Sequence, residues 1–479
     1  MVLQNFVFPN PICGTKNLYF RGEAYFDILS ETVIIEPDRR LSTDTYFNMF
    51  DTYIWNRYTG IEEFFCSLLV KGEGLAELIF FDTEVKKEIL LHQYAFSNHE
   101  KAMVKIPFKT QGRGYHYVKI LAKSEVVVSN ISVNTEETKQ RDIVLGINIC
   151  TYKRKMQLQK NIKTLLESSF FEKSSYLYGK MQICIVDNAS EWAPLNRPCF
   201  MLVHNPNTGG TGGFTRGIQE LRKIADKIGL THVVFMDDDV LFLPETFYRL
   251  YALLTYIKPD FREDVIAGRM FRLDQTNIQY TAAEKWNSGE ILHVGYQKDM
   301  GDRDNLIEVN ICDGEYTGWW FGCFPMGFVR DNAPFPFFIH CDDVEYGLRH
   351  GGTPIILNGI QVWHETFEKR QTPIIAYYDS RNSMFVNMLH GSSPPIDKII
   401  FDWKNCITKS HAAKDYVREY MQILALWHYL NGIRMLYKVN GEKLHCKLMK
   451  KRGHRIQNAI FWRICLFRIK LLKKIGSIR

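Results

Sequence analysis

The feature that most constrains the fold is an alternation of apolar runs and helical patterns between residues 143 and 240. The run IVLGINICTY (143–152) is almost continuously apolar, as expected of a strand that is buried on both faces. Three more such runs follow in QICIVDNAS, FMLVHNP and THVVFMDDD, and the helical patterns QLQKNIKTLLESSF and FTRGIQELRKIADKIG separate them. Strands that alternate with helices predict βαβ units and a parallel sheet.

Polar side chains follow these runs at the points where the strands should end. Thr151 and Arg154 follow the first run, Asp187 ends the second, and residues 237–239 are three aspartates that end the fourth. In open α/β sheets, ligands bind beyond the carboxyl ends of the strands. The sequence therefore predicts a binding site at this edge of the sheet.

The rest of the chain divides around this α/β segment. Residues 1–135 alternate apolar and polar positions over short runs, which predicts a β-sandwich domain. A polar linker, TEETKQRD, leads into an α/β domain over residues 140–390. Residues 391–479 have apolar positions at a spacing of three and four, which predicts a helical C-terminal region.

The C-terminal region is strongly basic, with twelve Lys and Arg between residues 441 and 479 and a single acid, Glu442. Its last helical pattern interleaves basic residues with Phe461, Trp462, Leu466 and Phe467, which suits the surface of an anionic membrane. The same pattern suits a helix that packs on the catalytic domain or on another subunit. The alternation with large apolar residues argues against nucleic acid as the partner.

The rest of the sequence predicts a cytoplasmic protein that is peripheral on the inner face of the cell membrane. The first residues lack a signal-peptide pattern, and no uncharged run reaches the 18 or so residues that a membrane span needs. The 11 cysteines form no CxxC pair, which indicates reduced thiols rather than a disulfide framework.

Three adjacent carboxylates, Asp237, Asp238 and Asp239, stand at the end of the fourth strand. Clustered acids repel one another, so their ionised forms are costly without a cation. A hard divalent ion such as Mg²⁺ or Mn²⁺ takes carboxylate oxygens and typically bridges the phosphates of a nucleotide. A solvated acidic turn, or the N-cap of a helix before LPETF, is the alternative.

A glycine-rich segment, NPNTGGTGGFTRG (205–217), leads into the second helical pattern, FTRGIQELRKIADKIG. Small residues let a backbone approach a ligand closely, and a helix N-terminus favours anions. The segment matches neither the phosphate-loop pattern nor the dinucleotide fingerprint, so an ordinary flexible loop is equally consistent with it.

Two aromatic segments carry further candidates. Trp319 and Trp320 are adjacent in WWFGCFPMGF and suit either a stacking wall for a sugar or core packing. Asp342 and Asp343 follow the aromatic run in FFIHCDDVEYGLRHGG. A carboxylate close to a second acid has a raised pKa and can act as a general base, although acids are also common in the first turn of a helix.

Two later residues are weaker candidates. His364, in QVWHETFEK, is suited to complete a metal site whose other ligands are carboxylates, or to be a packed histidine. Arg381, in YYDSRN, is suited either to clamp a phosphate or carboxylate or to lie on a helix surface.

The order of these motifs resembles that of a known family. TYKR, IVDNAS, NTGGTGGFTRG, FMDDDV, WW, CDDVEYGLR, WHE and YYDSRN occur in that order between about residues 143 and 385. This order resembles family-2 glycosyltransferases of the GT-A fold and, more narrowly, the bacterial galactofuranosyltransferases. The resemblance implies a GT-A (Rossmann-like) α/β catalytic domain, preceded by the β-sandwich domain and followed by the helical region.

The resemblance also implies a role for each candidate. Asp237, Asp239 and His364 would hold a divalent metal, Mn²⁺ or Mg²⁺, on the diphosphate of UDP. Asp343 would be the general base, supported by Asp342. The expected nucleotide-binding residues are Thr151, Arg154, Asp187, Arg216 and Asp238. The expected sugar-binding or acceptor-binding residues are Trp319, Trp320 and Glu284.

The implied reaction moves galactofuranose from UDP-galactofuranose to a hydroxyl of a glycan or glycolipid acceptor, in bacterial cell-surface polysaccharide synthesis. A single displacement would invert the anomeric configuration. Two alternatives stay open: a family-2 transferase of another sugar such as rhamnose, and a non-catalytic glycan-binding protein. The sequence also leaves a homo-oligomer open.

Overall fold

The computed structural model describes residues 1–193, 195, 197–308, 313–369, 372–391 and 396–474. The N-terminal elements are β1 Val2–Asn5, β2 Arg21–Gly22, β3 Ala24–Asp27, β4 Thr32–Ile35, β5 Arg40–Ser42, α1 Thr52–Tyr58, β6 Glu63–Asp82, β7 Lys87–Lys109, β8 Gly114–Ala122 and β9 Val126–Asn134. The first α/β elements are β10 Leu145–Thr151, α2 Lys155–Glu167, β11 Met181–Asp187, β12 Phe200–His204, α3 Gly209–Ile228, β13 His232–Asp237, α4 Pro244–Tyr256 and β14 Ile266–Arg272.

The chain continues through the insertion and the last strands of the α/β region. These elements are β15 Ile278–Thr281, β16 Glu284–Asn287, β17 Glu290–His293, β18 Lys298–Asp299, α5 Arg303–Glu308, β19 Phe321–Pro325, α6 Met326–Asp331, α7 Asp342–His350, β20 Ile355–His364 and α8 Pro373–Leu389. The C-terminal helices are α9 Ile396–Ala412, α10 Tyr416–Tyr429, α11 Arg434–Lys438, α12 Gly441–Met449 and α13 Arg455–Lys474.

The N-terminal strands form one antiparallel sheet with the order β2-β5-β8-β6-β9-β4-β3, to which β1 and β7 add at β9 and β6. The long strand β6 pairs with β7 along its length, with β9 over its first half and with β8 over its second half. The short alternating runs are therefore strands. The strands predicted for a β-sandwich belong to a single hydrogen-bonded sheet.

The central sheet has the order β12-β11-β10-β13-β19-β14-β15-β18, with β20 paired to β14. Strands β10, β11, β12 and β13 are mutually parallel, as the alternation of strands and helices predicts. The chain places β11 on one side of β10 and β13 on the other, so the direction of winding reverses at β10. A crevice forms at such a reversal, next to the carboxyl ends of β10 and β13.

Three later segments reach the same edge of this sheet. Strand β19 runs antiparallel to β13 with Phe321 opposite Met236, so its first residues lie beside the end of β13. Strand β20 is parallel to β14, which is antiparallel to β19, and therefore runs in the direction of β13. Two backbone hydrogen bonds of 2.8 Å between Leu241 and Trp363 then fix the end of β20 next to the aspartates.

Helix α3 begins at Gly209, five residues before the predicted helical pattern, so most of the glycine-rich segment lies inside its first turns. An added Cβ at Gly213 would lie 2.1 Å from Sγ of Cys150, and one at Gly217 would lie 1.9 Å from Oδ1 of Asn148. Both partners are on β10. The glycines, spaced four residues apart, thus allow α3 to pack closely on that strand.

The C-terminal helices pack around a second apolar cluster that includes Tyr377, Trp403, Met421 and Leu426. Phe461, Trp462 and Leu466 of α13 pack against this cluster, and Trp462 stacks on Trp403 at 4.5 Å. These three side chains are therefore partly buried against the helical core, whereas contact of the helix with a membrane stays a prediction. Phe467, which was predicted with them, is 70% exposed. Within the described residues, we find no helix with the length and apolarity of a membrane span.

Candidate active site

The crevice at the carboxyl edge of the central sheet opens into a cleft of about 890 Å³. Ten of the residues that the sequence singles out line it: Arg154, Asp237, Asp238, Asp239, Glu284, Trp319, Trp320, Asp342, Asp343 and His364. They come from segments that are up to 210 residues apart in the chain, and the strand directions described above bring them together.

Three predicted nucleotide contacts are not among the described residues that line the cleft: Thr151, Asp187 and Arg216. The carboxylate of Asp187 instead accepts hydrogen bonds from the backbone N–H groups of Ala189, Glu191 and Trp192, at 2.6 to 2.9 Å. Arg216 pairs with Glu220 at 2.7 Å on the same helix. Asp187 therefore shapes the loop after β11, and direct nucleotide contacts from these three residues stay a prediction.

Asp237, Asp239 and His364 form a compact cluster whose ligand atoms all lie within 4.8 Å of one another. Nε2 of His364 is 3.0 Å from Oδ1 of Asp239 and 3.7 Å from Oδ2 of Asp237. Ligand atoms that each bind one small divalent ion at about 2.1 Å lie about 3 Å apart when they meet at a right angle. Two carboxylates and an imidazole at these separations suit one divalent ion.

Arg154 contacts the same acidic group from the other side. Its Nη1 lies 2.5 Å from Oδ2 of Asp239 and 3.1 Å from Oδ1 of Asp238. The two oxygens of Asp239 therefore have separate partners, because Oδ1 faces His364 and Oδ2 faces the guanidinium. Asp238 is not a member of the cluster formed by Asp237, Asp239 and His364, and its separate role at the nucleotide stays a prediction.

Burial perturbs these acids. It raises the pKa of Asp237 to about 7, with the positive charge of His364 acting in the opposite direction and Asp239 adding to the rise. Burial also raises the pKa of Asp238 to about 6, although Arg154 opposes it. A cation would favour the ionised form of each carboxylate, which is the form that binds metal.

The DD pair, Asp342 and Asp343, opens helix α7 at the cleft. Oδ2 of Asp342 accepts a hydrogen bond of 2.6 Å from the hydroxyl of Thr211, which links the pair to α3. Burial raises the pKa of Asp343 well above its ordinary value, and the charges of Asp342 and Glu284 raise it further. A carboxylate in this environment is a stronger base than one in water, as the sequence predicts for Asp343.

The backbone before this pair is strained. Phe338, His340 and Cys341 all have positive φ, at 77°, 67° and 60°. Such angles disfavour residues that carry a Cβ, so they persist only where the surroundings hold them. Gly209 lets the carbonyl of Phe338 approach α3, because an added Cβ there would lie 2.0 Å from that oxygen.

The YYDSRN motif holds this strained segment. Nη2 of Arg381 donates a 2.6 Å hydrogen bond to the carbonyl of Phe337, and Nδ2 of Asn382 donates to the carbonyls of Ile339 and His340. Arg381 is 3% exposed, so both predictions for it are wrong: its side chain neither lies on a surface nor lines the cleft. Its structural role could be found only from the fold, because its partners are backbone carbonyls.

Trp319 and Trp320 pack in the core and also line the cleft, and their contact with a sugar stays a prediction. They are 4% and 3% exposed, yet both line the cleft. Trp319 stacks on Phe235 at 4.8 Å, and the indole N–H of Trp320 donates to the carbonyl of Gly268. Most of each ring is buried in the core, and the small exposed part belongs to the cleft lining.

Glu284 lies at the start of the β16–β17 hairpin and also lines the cleft. Its Oε1 is 2.8 Å from Nδ1 of His293 on the paired strand. Glu284 is 3% exposed and adds negative charge next to Asp343. The hairpin thus provides a third carboxylate on the DD side of the cleft.

Residues 147–313, which include the parallel strands and the three aspartates of the cleft, match the family model of Glycosyl transferase family 2. This part of the chain is therefore a family-2 glycosyltransferase domain. The chain is 22% identical over 446 residues to Galactofuranosyltransferase GlfT2 of Mycobacterium tuberculosis, a match that covers 85% of this chain and 67% of that protein. These matches confirm the resemblance that the motifs predict.

A second relative is Galactofuranosyltransferase GlfT2 of Mycolicibacterium smegmatis, 28% identical over 261 residues, which cover 50% of this chain and 39% of that protein. The matched regions thus span about two thirds or less of the length of these relatives. Among solved structures, BiXyn10A CBM1 APO is 10% identical and covers 24% of this chain and 81% of its own, with a TM-score of 0.19. A TM-score this low does not indicate a shared fold.

Proposed function

We propose that the protein transfers galactofuranose from UDP-galactofuranose to a hydroxyl of a glycan acceptor, with inversion at the anomeric carbon. The observation that carries this proposal is the arrangement of the cleft. The Asp237, Asp239 and His364 cluster and the DD pair line the same cavity, at separate sites. The similarity to two galactofuranosyltransferases supports the choice of sugar.

Asp237, Asp239 and His364 would hold a divalent ion, Mn²⁺ or Mg²⁺, on the diphosphate of the donor. Such an ion offsets the negative charge that develops on the leaving UDP. Arg154 would orient Asp239 through Oδ2 and leave Oδ1 for the ion. Asp238, Thr151, Asp187 and Arg216 would contact or position the nucleotide.

Asp343 would remove the proton from the acceptor hydroxyl, whose oxygen then attacks the anomeric carbon as the bond to UDP breaks. One displacement inverts the configuration, so the reaction needs no covalent sugar–enzyme intermediate. Asp342 would support the base, and Thr211 holds Asp342 in place. Trp319, Trp320 and Glu284 would contact the transferred sugar or the acceptor.

A donor screen with purified protein tests this function. With Mn²⁺ and a synthetic galactofuranosyl disaccharide, UDP-galactofuranose should be turned over and dTDP-rhamnose should not. Turnover of dTDP-rhamnose alone would mean that rhamnose, and not galactofuranose, is the transferred sugar. No turnover of any donor would favour a glycan-binding protein. EDTA and the substitution Asp239→Ala should each abolish donor binding, and activity retained in EDTA would contradict the metal site.

The proposal includes a lipid-linked acceptor and peripheral contact with the inner face of an anionic membrane. Helix α13 has no acid and six basic residues. A stripe of apolar side chains at a spacing of three and four lies exposed on its outer face: Ile456, Ile460, Ile464, Phe467 and Leu471, at 76%, 55%, 48%, 70% and 49% exposed. Such a face is suited to the interface of an anionic bilayer.

Vesicle sedimentation tests the membrane contact. The protein should bind phosphatidylglycerol-containing vesicles more tightly than pure phosphatidylcholine vesicles, and the double variant Ile460→Ser, Phe467→Ser should lose this binding. Leu29→Ser removes an even more exposed apolar side chain, in the turn between β3 and β4, and should have no effect. Equal binding by both variants would instead favour contact between copies of the chain.

A further inference from the structure

The cleft has one wall to which the proposed reaction assigns no role. Residues of two helices near the C-terminus form it: Ile375, Asp379 and Ser383 of α8, and His445 and Cys446 of α12. We call this surface the α8–α12 wall. It lies outside residues 147–313, which match the glycosyltransferase family, so the family match assigns it no function.

The α8–α12 wall contacts the segment that carries the proposed base. Sγ of Cys341 lies 3.9 Å from Oγ of Ser383, and Nδ1 of His340 lies 2.8 Å from Oδ1 of Asp379. On its other side, the DD pair contacts α3 through Thr211. The pair therefore lies between the sheet side of the cleft, where the acidic cluster is, and the α8–α12 wall.

The wall carries groups that can bind a glycan. Asp379 and His340 are 43% and 36% exposed at their side chains, so their hydrogen-bonding atoms can be reached from the cleft. The ring of His445 packs against Phe338 at 5.3 Å, and its Nδ1 lies 3.2 Å from the hydroxyl of Tyr378. Tyr378 and Phe338 thus hold the imidazole at the cleft. Sugar hydroxyls both donate and accept hydrogen bonds, and this set of groups offers both kinds of partner.

We propose that the α8–α12 wall is the acceptor subsite and binds a polyhydroxylated glycan chain, whose attacking hydroxyl it presents to Asp343. The inference rests on the proposed transfer reaction. In that reaction, the acceptor oxygen attacks from the face opposite the leaving UDP. The nucleotide side of the cleft is formed by the strand ends and Arg154, so the acceptor approaches from the side of α8 and α12.

Cysteine footprinting tests this assignment directly. Cys446 is exposed in the wall, whereas Cys406 is exposed on α9 outside the cleft lining and provides an internal reference. A synthetic galactofuranosyl disaccharide at saturation should slow modification of Cys446 by N-ethylmaleimide several-fold, as read by mass spectrometry, and should leave Cys406 unchanged. UDP with Mn²⁺ should not give the same protection. An unchanged rate at Cys446, or equal slowing at both cysteines, would overturn the inference.

Kinetics provide the second test. His445→Ala should raise the KM for the disaccharide about 2- to 10-fold, the loss expected for one hydrogen bond, with the KM for UDP-galactofuranose unchanged. A fall in kcat with an unchanged acceptor KM would mean that His445 only supports Phe338, and would overturn its role in the subsite. If the wild-type protein transfers no galactofuranose, the proposed function fails, whereas the footprint still reports independently on the wall.

Discussion

At the residue scale, the acids of the cleft differ by their partners rather than by their chemistry. Oδ1 of Asp239 faces His364 and its Oδ2 faces Arg154, whereas Asp343 has two further carboxylates near it. The first environment suits metal binding, because it includes an imidazole and a neighbouring carboxylate. The second environment makes a carboxylate basic. The resemblance of the motif order to a known family implies both roles, but the sequence does not predict which oxygen meets which partner.

The environment of Asp343 predicts how the activity depends on pH. Burial, Asp342 and Glu284 raise its pKa, and only its ionised form can accept a proton. Transfer should therefore be lost as pH falls through this raised pKa, at a higher pH than for an ordinary carboxyl group. Glu284→Gln removes one negative charge, so it should move this acid limb of the kcat/KM profile to lower pH.

Glu290→Gln is the matched control for that experiment, because Glu290 is an exposed acid on the same hairpin. Its profile should coincide with that of the wild-type protein. An acid limb that stays in place in Glu284→Gln would mean that Glu284 does not act on the base.

Arg381 and Asn382 illustrate what residue-level reasoning misses. Both belong to the YYDSRN motif, yet their partners are carbonyls of the strained segment before the DD pair. A backbone carbonyl carries no sequence signal, since every residue has one. Their function as supports of the proposed base was therefore accessible only once the fold was known.

At the element scale, helix α3 packs closely on strand β10 because glycines occupy the contact positions of the helix. The side chain of Asn148 donates a 2.9 Å hydrogen bond to the carbonyl of Phe214 in the space that Gly217 leaves open. The sequence suggests that the glycines approach a ligand. The structure shows that Gly213 and Gly217 approach a strand, while Gly209 and Gly210 line the cleft.

Gly217→Ala should destabilise the protein by about 1–3 kcal/mol, although alanine normally stabilises a helix relative to glycine. The reason is the clash with Asn148, which is fully buried and hydrogen-bonded. Gly210→Ala is the control, because nothing lies within 4 Å of its added Cβ. It should leave the free energy of unfolding unchanged or raise it by up to about 1 kcal/mol. Urea unfolding measures both, and equal stability of the two variants would contradict this packing.

At the scale of the whole molecule, a buried arginine joins the N-terminal sheet to the α/β region. Arg249 of α4 has no exposed side-chain surface and donates to the carboxylate of Glu245 at 2.9 Å. It also donates to the carbonyls of Asn5 and Phe47 in the N-terminal region and to that of Asn358 just before the middle of β20. One side chain therefore connects both sheets to α4.

Arg249→Ala should lower the free energy of unfolding by about 3–5 kcal/mol, because it leaves the buried carboxylate of Glu245 without its cationic partner and removes the hydrogen bonds to three carbonyls. Arg330→Ala removes an arginine from an exposed pair with Asp226, where both side chains are more than half exposed, and should change stability by no more than about 0.5 kcal/mol. Urea unfolding of the full chain measures both effects. A similarly small effect of both substitutions would show that the contacts of Arg249 between the N-terminal region and the α/β region contribute little to stability.

The sequence alone predicts the parallel strands, the polar strand ends, the metal-binding candidates and the helical C-terminal region. These follow from local periodicity and from motif order, which are properties of neighbouring residues. Three arrangements are visible only in the three-dimensional structure: β20 returns parallel to β13 and brings His364 to Asp239, Gly213 and Gly217 pack α3 on β10, and α12 reaches the cleft. These arrangements depend on contacts between residues far apart in the chain, and a local pattern carries no information about such contacts.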